Sequence, residues 1–247
     1  MLSITFVVPC LNEQGNLEKT VATIDKAATD CGIETSELII VDDGSTDGTL
    51  AVARRIADER KDTVVVAHPR NFGLGAAYKT GLRAATREHV MLVPGDDVWP
   101  ATELAKIIRL TGTADIVVPY IVVARDKGLV RRFVSRLFTG TVNFIFGQDI
   151  PYYNGVVIHR TDLIRNVTIS SDDFAYQVEG LIKVLGRGAS HVNVATETSE
   201  RPSGHSKALR LTNIARVMMT LLRLIYEVRI TPLFRRLAIA VSGSERP

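Results

Sequence analysis

Two rhythms alternate over the first 118 residues: short, solidly apolar runs, and longer stretches in which apolar residues return every third or fourth position. The runs at 4–8, 38–41, 63–67, 89–93 and 115–118 read as strands, and the stretches at 16–30, 48–59, 75–86 and 101–110 read as helices. Leu38, Ile39, Ile40 and Val41 form an unbroken apolar run closed by Asp42 and Asp43, the pattern of a strand buried on both faces. Strands alternating with helices predict an α/β fold on a doubly wound, mostly parallel sheet.

The rhythm changes in the second half. Residues 125–147 read as a basic amphipathic helix with Arg131, Arg132 and Arg136 beside Phe133, Val134, Leu137, Phe138, Phe144 and Phe146. A strand at 155–159, a helix at about 173–186 and a strand near 190–195 follow. Residues 206–230 carry Leu211, Ile214, Met218, Leu221, Ile225 and Val228 at helical spacing, with Thr212, Asn213, Arg216 and Arg223 opposite. There is no internal repeat and no low-complexity segment.

Composition narrows the class. With 247 residues, 46% hydrophobic and 23% charged, the chain suits one large α/β domain or a domain with a helical appendage. The net charge of +3 is too small to argue for nucleic acid, although Arg and Lys crowd into the second half. Cys10 and Cys31 are too few for a disulfide framework and match no metal-ligand spacing, so free thiols in a reducing compartment are expected. The chain opens on a strand rather than a basic and then apolar leader, and no apolar run reaches the roughly 18 residues of a membrane span, so a cytoplasmic location is expected.

Polar residues follow four successive strand-like runs: Asn12 and Glu13, Asp42 and Asp43, Arg70 and Asn71, Asp96 and Asp97. In an open parallel sheet these would share the carboxyl edge, where ligands settle. Asp47 stands where a helix N-cap belongs, and that structural role is preferred for it over ligand binding. The Gly-x-Gly-x-x-Gly fingerprint is absent, which argues against a dinucleotide-dependent dehydrogenase.

The residues Val8-Pro9-Cys10-Leu11-Asn12-Glu13, Val41-Asp42-Asp43-Gly44-Ser45-Thr46-Asp47, Asn71-Phe72-Gly73-Leu74-Gly75-Ala76-Ala77 and Gly95-Asp96-Asp97, in this order, resemble the family 2 inverting glycosyltransferases with the GT-A fold. Further motifs, Tyr153-Asn154-Gly155 through Arg160, Phe174-Ala175-Tyr176-Gln177-Val178-Glu179 and Arg201-Pro202-Ser203-Gly204-His205-Ser206-Lys207, are similar to the branch that glycosylates polyprenyl phosphates. The resemblance implies a GT-A domain over 1–205 and an amphipathic helical extension over 206–247.

It also implies roles. A nucleoside-diphosphate sugar would be bordered by Pro9, Asn12 and Glu13, with Asp42 near the base and Asp43 close by. Gly75, with Gly73, would let backbone approach the ligand or would simply make a tight strand-to-helix turn. Asp96 and Asp97 would hold Mg²⁺ or Mn²⁺ on the diphosphate, although Pro94 replaces the first carboxylate of the family's Asp-x-Asp. The resemblance gives Asp96, Arg201 and Lys207 to catalysis, and Ser203, Arg131 and Arg132 to the acceptor phosphate. Leu11 and Pro119 depart from the aromatic residue and the Arg often found at those places. Asp172 and Asp173 lie near the family's usual base, which a hydroxyl acceptor on a glycan, lipid or protein would need. A non-catalytic nucleotide-sugar binding protein is the third reading. The Gln-x-x-Arg-Trp signature of processive synthases is absent. The expected partners are a nucleotide sugar, a polyprenyl phosphate, an anionic membrane surface met peripherally on its cytoplasmic face, and a homo-oligomer or membrane partner subunit.

Overall fold

The computed structural model describes residues 2–33, 35–123, 129–198 and 211–231, with the side chains of 123, 129–132 and 211–216 outside the description. Five strands and four helices alternate first: β1 (Ser3–Cys10), α1 (Leu17–Asp30), β2 (Thr35–Asp42), α2 (Thr49–Glu59), β3 (Thr63–Ala67), α3 (Leu74–Ala84), β4 (His89–Leu92), α4 (Ala101–Ile108) and β5 (Ile116–Val123). Then come α5 (Leu129–Phe146), β6 (Ile158–Arg160), α6 (Thr161–Arg165), α7 (Tyr176–Leu185), β7 (His191–Glu197) and α8 (Leu211–Ile225), which runs into a π-helical turn, Tyr226–Ile230.

The strands form one sheet in the order β3-β2-β1-β4-β6-β5-β7. β3, β2, β1 and β4 pair in parallel, as do β5 and β7. β6 enters between β4 and β5, antiparallel to both. The sheet is therefore mixed, with six strands running one way and a three-residue strand opposing them. Their six carboxyl ends share an edge.

Strand alternation splits the core into two layers. Val7, Ile39 and Val41 face Ala77, Tyr78 and Leu82 of α3 and Val178 and Leu181 of α7. Phe6, Val8, Leu38 and Ile40 face Leu17, Val21 and Ile24 of α1 and Leu104 and Ile107 of α4. A sheet covered on both faces explains why its central strands read as unbroken apolar runs. At the amino edge, buried Glu37 accepts hydrogen bonds from the Thr5 hydroxyl (2.6 Å) and the Thr86 amide (2.8 Å), so its charge is satisfied locally.

The last helix is apolar on two sides. Val217, Leu221, Leu224 and Val228 pack on the core, while Met218, Met219, Leu222 and Tyr226 are exposed. Arg229 donates from Nε to the Ile145 carbonyl at 2.9 Å, joining the end of this segment to α5. On α5, Phe133, Leu137 and Phe144 are also exposed, Phe144 by 89%.

Candidate active site

The loops after β1 and β2 are laced together. The Asn12 amide donates to Ser45 Oγ (2.9 Å), the Thr46 amide donates back to Asn12 Oδ1 (2.8 Å), and the Glu13 amide donates to Thr49 Oγ1 (2.8 Å). Asn12 has φ 59°, a left-handed conformation that Asn tolerates better than most residues. Asn12 thus ties the loop after β1 to the loop after β2 with its side-chain carbonyl, and the Glu13 carboxylate accepts from Asn16 Nδ2 at 2.8 Å. The N-cap of α2 is Gly48 rather than Asp47; Asp47, one residue earlier, accepts the Thr49 amide at 3.0 Å in a local turn ahead of the helix.

Asp42 and Asp43 differ although they are adjacent. Asp42 is 2% exposed, and its Oδ1 has no hydrogen-bond partner among the described residues. A buried carboxylate oxygen left open costs stability unless something arrives to satisfy it. Asp43 is fully engaged: Oδ1 lies 2.7 Å from His68 Nδ1 and accepts the Phe72 amide at 2.9 Å, and Oδ2 accepts the Gly73 amide at 2.8 Å. It is a latch that ties residues 68–73 to the end of β2.

The glycines after that latch admit protein backbone. Gly73 has φ 105°, and a Cβ there would lie 2.4 Å from the Asp172 carbonyl oxygen; one on Gly75 would lie 2.7 Å from that of Ser171. The Asp172 carbonyl uses this room to accept the Gly75 amide at 2.9 Å, occupying the first turn of α3. The partner that approaches Gly75 is therefore the 171–172 backbone.

After β4, the Gly95 amide donates to the Pro9 carbonyl at 3.0 Å, which brings Asp96 beside the end of β1. Asp97 turns toward α1: with φ 53°, it donates its amide to Thr20 Oγ1 at 3.0 Å and accepts from Thr23 Oγ1 at 3.4 Å. The shared neighbourhood registers on Cys10, whose thiol is pushed far up, first by burial and then by the charges of Asp42, Glu13, Asp47 and Asp43. Among the described residues, no group of three or more His, Cys, Asp or Glu is placed to hold a metal by itself. The hard carboxylate oxygens gathered at this edge are of the donor type that a divalent cation such as Mg²⁺ or Mn²⁺ would take.

At the far side of α3, Asp172 pairs with Lys79 at 2.7 Å, and Asp173 accepts the Ala175 amide at 2.9 Å. Glu179, fully buried on α7, accepts the Ser170 and Ser171 amides at 3.0 and 2.9 Å, Lys183 at 2.8 Å and Arg223 at 3.1 Å. Burial alone would push its carboxyl up, but these hydrogen bonds outweigh burial and hold it below the usual value.

The structure thus brings Pro9, Asn12, Glu13, Asp42, Asp43, Gly75, Asp96 and Asp97 to one edge. Arg131 and Arg132 lie on the α5 backbone with their side chains outside the description, and Arg201, Ser203 and Lys207 lie outside the described residues. Sequence reasoning missed His68 and the hub at Glu179. His68 directly follows a strand end, a position that could have drawn attention, whereas the Glu179 partners come from elements far apart in the chain.

Residues 5–174 match the family model described as glycosyl transferase family 2. The undecaprenyl-phosphate 4-deoxy-4-formamido-L-arabinose transferase of Edwardsiella ictaluri is 24% identical over 225 residues, 89% of this chain and 67% of that protein. The polyprenol monophosphomannose synthase of Mycolicibacterium smegmatis is 28% identical over 214 residues, 81% of this chain and 79% of that protein. Coverage of the curated relatives' own lengths falls as low as 25%, in an 81-residue match. Among solved structures, glucosyl-3-phosphoglycerate synthase from Mycobacterium tuberculosis, bound to Mn²⁺, uridine diphosphate and phosphoglyceric acid, superposes with a TM-score of 0.69 at 21% identity, covering 91% of this chain and 78% of that one.

Proposed function

Because the chain belongs to glycosyl transferase family 2 and has the GT-A architecture, we propose that it moves a sugar from a nucleoside-diphosphate sugar to a polyprenyl phosphate, with inversion. Asp42 offers its open Oδ1 to an N–H of the base, and Pro9, Asn12 and Glu13 border the nucleoside. Asp43 keeps the 68–73 segment in place beneath it. Asp96, with Asp97 next to it, would hold Mg²⁺ or Mn²⁺. When bound, that cation neutralises charge on the departing diphosphate.

In the reaction, a phosphate oxygen of the acceptor forms the bond to the anomeric carbon as the bond from that carbon to the diphosphate breaks, its electrons leaving with the nucleoside diphosphate. Arg201 and Lys207 are assigned to the diphosphate, and Ser203, Arg131 and Arg132 to the acceptor phosphate.

The observation that carries the choice of acceptor is the state of the two carboxylates at the base position. Asp172 is paired with Lys79, and Asp173 accepts the Ala175 amide just ahead of α7. Both carboxylates are engaged within the protein. A phosphate monoester, with its second pKa near 6, is already an anionic nucleophile and needs no base. The two relatives whose names specify a polyprenyl or undecaprenyl phosphate point the same way. No helix among the described residues is long and apolar enough to cross a membrane. The exposed apolar residues of α5 and α8 suit peripheral contact with the cytoplasmic face of a bilayer, where such an acceptor presents its head group.

The test is to incubate the purified protein with a panel of nucleotide sugars and short-chain polyprenyl phosphates, with and without Mg²⁺. Transfer to the lipid phosphate is expected, persisting in the Asp172→Asn/Asp173→Asn double variant. Transfer to a hydroxyl acceptor that disappears in that variant would overturn the acceptor assignment.

A further inference from the structure

We propose that Glu179 is a positioning residue for the donor edge, clamping the Ser170–Asp172 backbone against the start of α3 and so fixing the latch formed by Asp43. This rests on reading that edge as the nucleotide-sugar site. None of the hydrogen-bond partners found for Glu179 is a strand-end residue, so its influence passes through backbone.

The geometry of the clamp is specific. Oε1 takes the Ser170 amide and Lys183, while Oε2 takes the Ser171 amide and Arg223. Each oxygen thus joins one backbone amide to one cation, and two consecutive amides held by one carboxylate fix the orientation of the peptide that follows. That peptide carries the Ser171 carbonyl, and the next one carries the Asp172 carbonyl, which accepts the Gly75 and Ala76 amides at 2.9 and 3.3 Å. One turn earlier, the Gly73 amide donates to Asp43 Oδ2 at 2.8 Å, and the Asp43 amide donates to the Cys10 carbonyl at 2.9 Å. The links run without a gap from α8 through α7 and α3 to the ends of β2 and β1.

Two features favour positioning over mere core filling. An ion cluster that only fills space is commonly replaceable by apolar residues without loss, whereas this one is spent on the amides of a single loop. The glycine contacts leave no slack, since even one added Cβ at Gly75 would come within 2.7 Å of the Ser171 oxygen. A small shift of the loop must therefore move the start of α3. One of the two cations comes from α8, so the helix with the exposed apolar face completes the clamp.

The test compares Glu179→Gln with Glu37→Gln, a control that removes a buried hydrogen-bonded carboxylate at the opposite sheet edge. Two quantities are read: amide hydrogen exchange at Gly73, Gly75 and Ala76, and affinity for UDP and GDP in the presence of Mn²⁺. In Glu179→Gln, exchange at these amides should rise and nucleotide affinity should fall by about tenfold each, with neither change in Glu37→Gln. Glu179→Gln and Gly75→Ala should also be non-additive in nucleotide affinity, because both act on the same backbone contact. Should Glu179→Gln fail to fold, Arg223→Gln is expected to show the same pattern at about threefold. Equal losses in Glu179→Gln and Glu37→Gln, or faster exchange with unchanged nucleotide affinity, would overturn the positioning role and leave the donor site standing. A wild-type protein that binds neither nucleotide would instead overturn the donor-site reading and the proposal with it.

Discussion

Two regions of the molecule treat their polar and apolar groups in opposite ways. Around the ends of β1, β2 and β4, polar groups are paired across loops, and a buried carboxylate oxygen of Asp42 has no hydrogen-bond partner among the described residues. On α5 and α8, Phe133, Leu137, Phe144, Met219 and Leu222 face outward, while Arg223 of α8 reaches inward to buried Glu179 of α7. The first region is held in shape by its own loop hydrogen bonds. The second presents an apolar helix face that is exposed among the described residues. In the proposed reaction this division matches the substrates: a water-soluble donor bound by a rigid edge, and a lipid acceptor met at a surface.

The sharpest way to break the contrast is at Asp96. Asp96→Ala should reduce transfer by about two to three orders of magnitude while the thermal midpoint changes little, because the loss falls on transition-state charge. Initial-rate assays beside a melting curve measure both.

Asp42→Asn comes next. It replaces an acceptor oxygen pair by one oxygen and one amide, and should weaken nucleotide binding by about tenfold, measured by calorimetry. A similar loss in maximal rate at saturating donor would instead place Asp42 in the chemical step. Gly75→Ala sharpens the other side of the site. The added methyl meets the Ser171 oxygen, so a destabilisation of about 1–3 kcal/mol is expected in a denaturant titration.

Acid separates the two regions by a different route. His159 on β6 is buried beside Tyr78 and Tyr176, and burial pushes it down to about 3 from the ordinary 6.5. His89 is shifted the same way, first by burial. An imidazole kept neutral when folded binds fewer protons than when unfolded, so stability should fall as pH drops from about 6.5 toward 3. Glu179, faced by Lys183 on its own helix and by Arg223 from α8, has its carboxyl held low; its contribution is present above the ordinary carboxylate range and is lost as pH falls through its folded value. Unfolding titrations of His159→Gln should flatten the upper limb, and those of Glu179→Gln the lower one. The smallest effect expected is in Asp172→Asn/Asp173→Asn, with transfer reduced less than about threefold.

Much of the fold was legible in local periodicity. The expected strands at 38–41 and 63–67 became Thr35–Asp42 and Thr63–Ala67, the first lengthened because Thr35, Ser36 and Glu37 continue the ladder opposite Ser3, Ile4 and Thr5. A hydrophobic run marks burial, not pairing. The strand expected at 155–159 is Ile158–Arg160, but its insertion between β4 and β5, antiparallel to both, was hidden, because strand order is set by contacts between distant segments.

At the site, the residue types were legible and their duties less so. Adjacent Asp42 and Asp43 look alike in sequence, yet one carries an open oxygen and the other holds a loop. The difference arises because the amides of Phe72 and Gly73 and the His68 ring return from β3 to Asp43 alone. Gly75 was equally suited to a ligand or to a backbone neighbour, and the neighbour came from a segment about a hundred residues later.

The account stands most directly on whether the acidic edge binds a nucleoside diphosphate together with a divalent cation. Calorimetric titration of UDP, GDP and their sugar conjugates, with Mn²⁺ and then with excess chelator, measures this. Saturable heat with at least one nucleotide, abolished by chelator and by Asp96→Ala, is the predicted result. Absence of binding by every nucleotide, or binding indifferent to both chelator and Asp96→Ala, would contradict it.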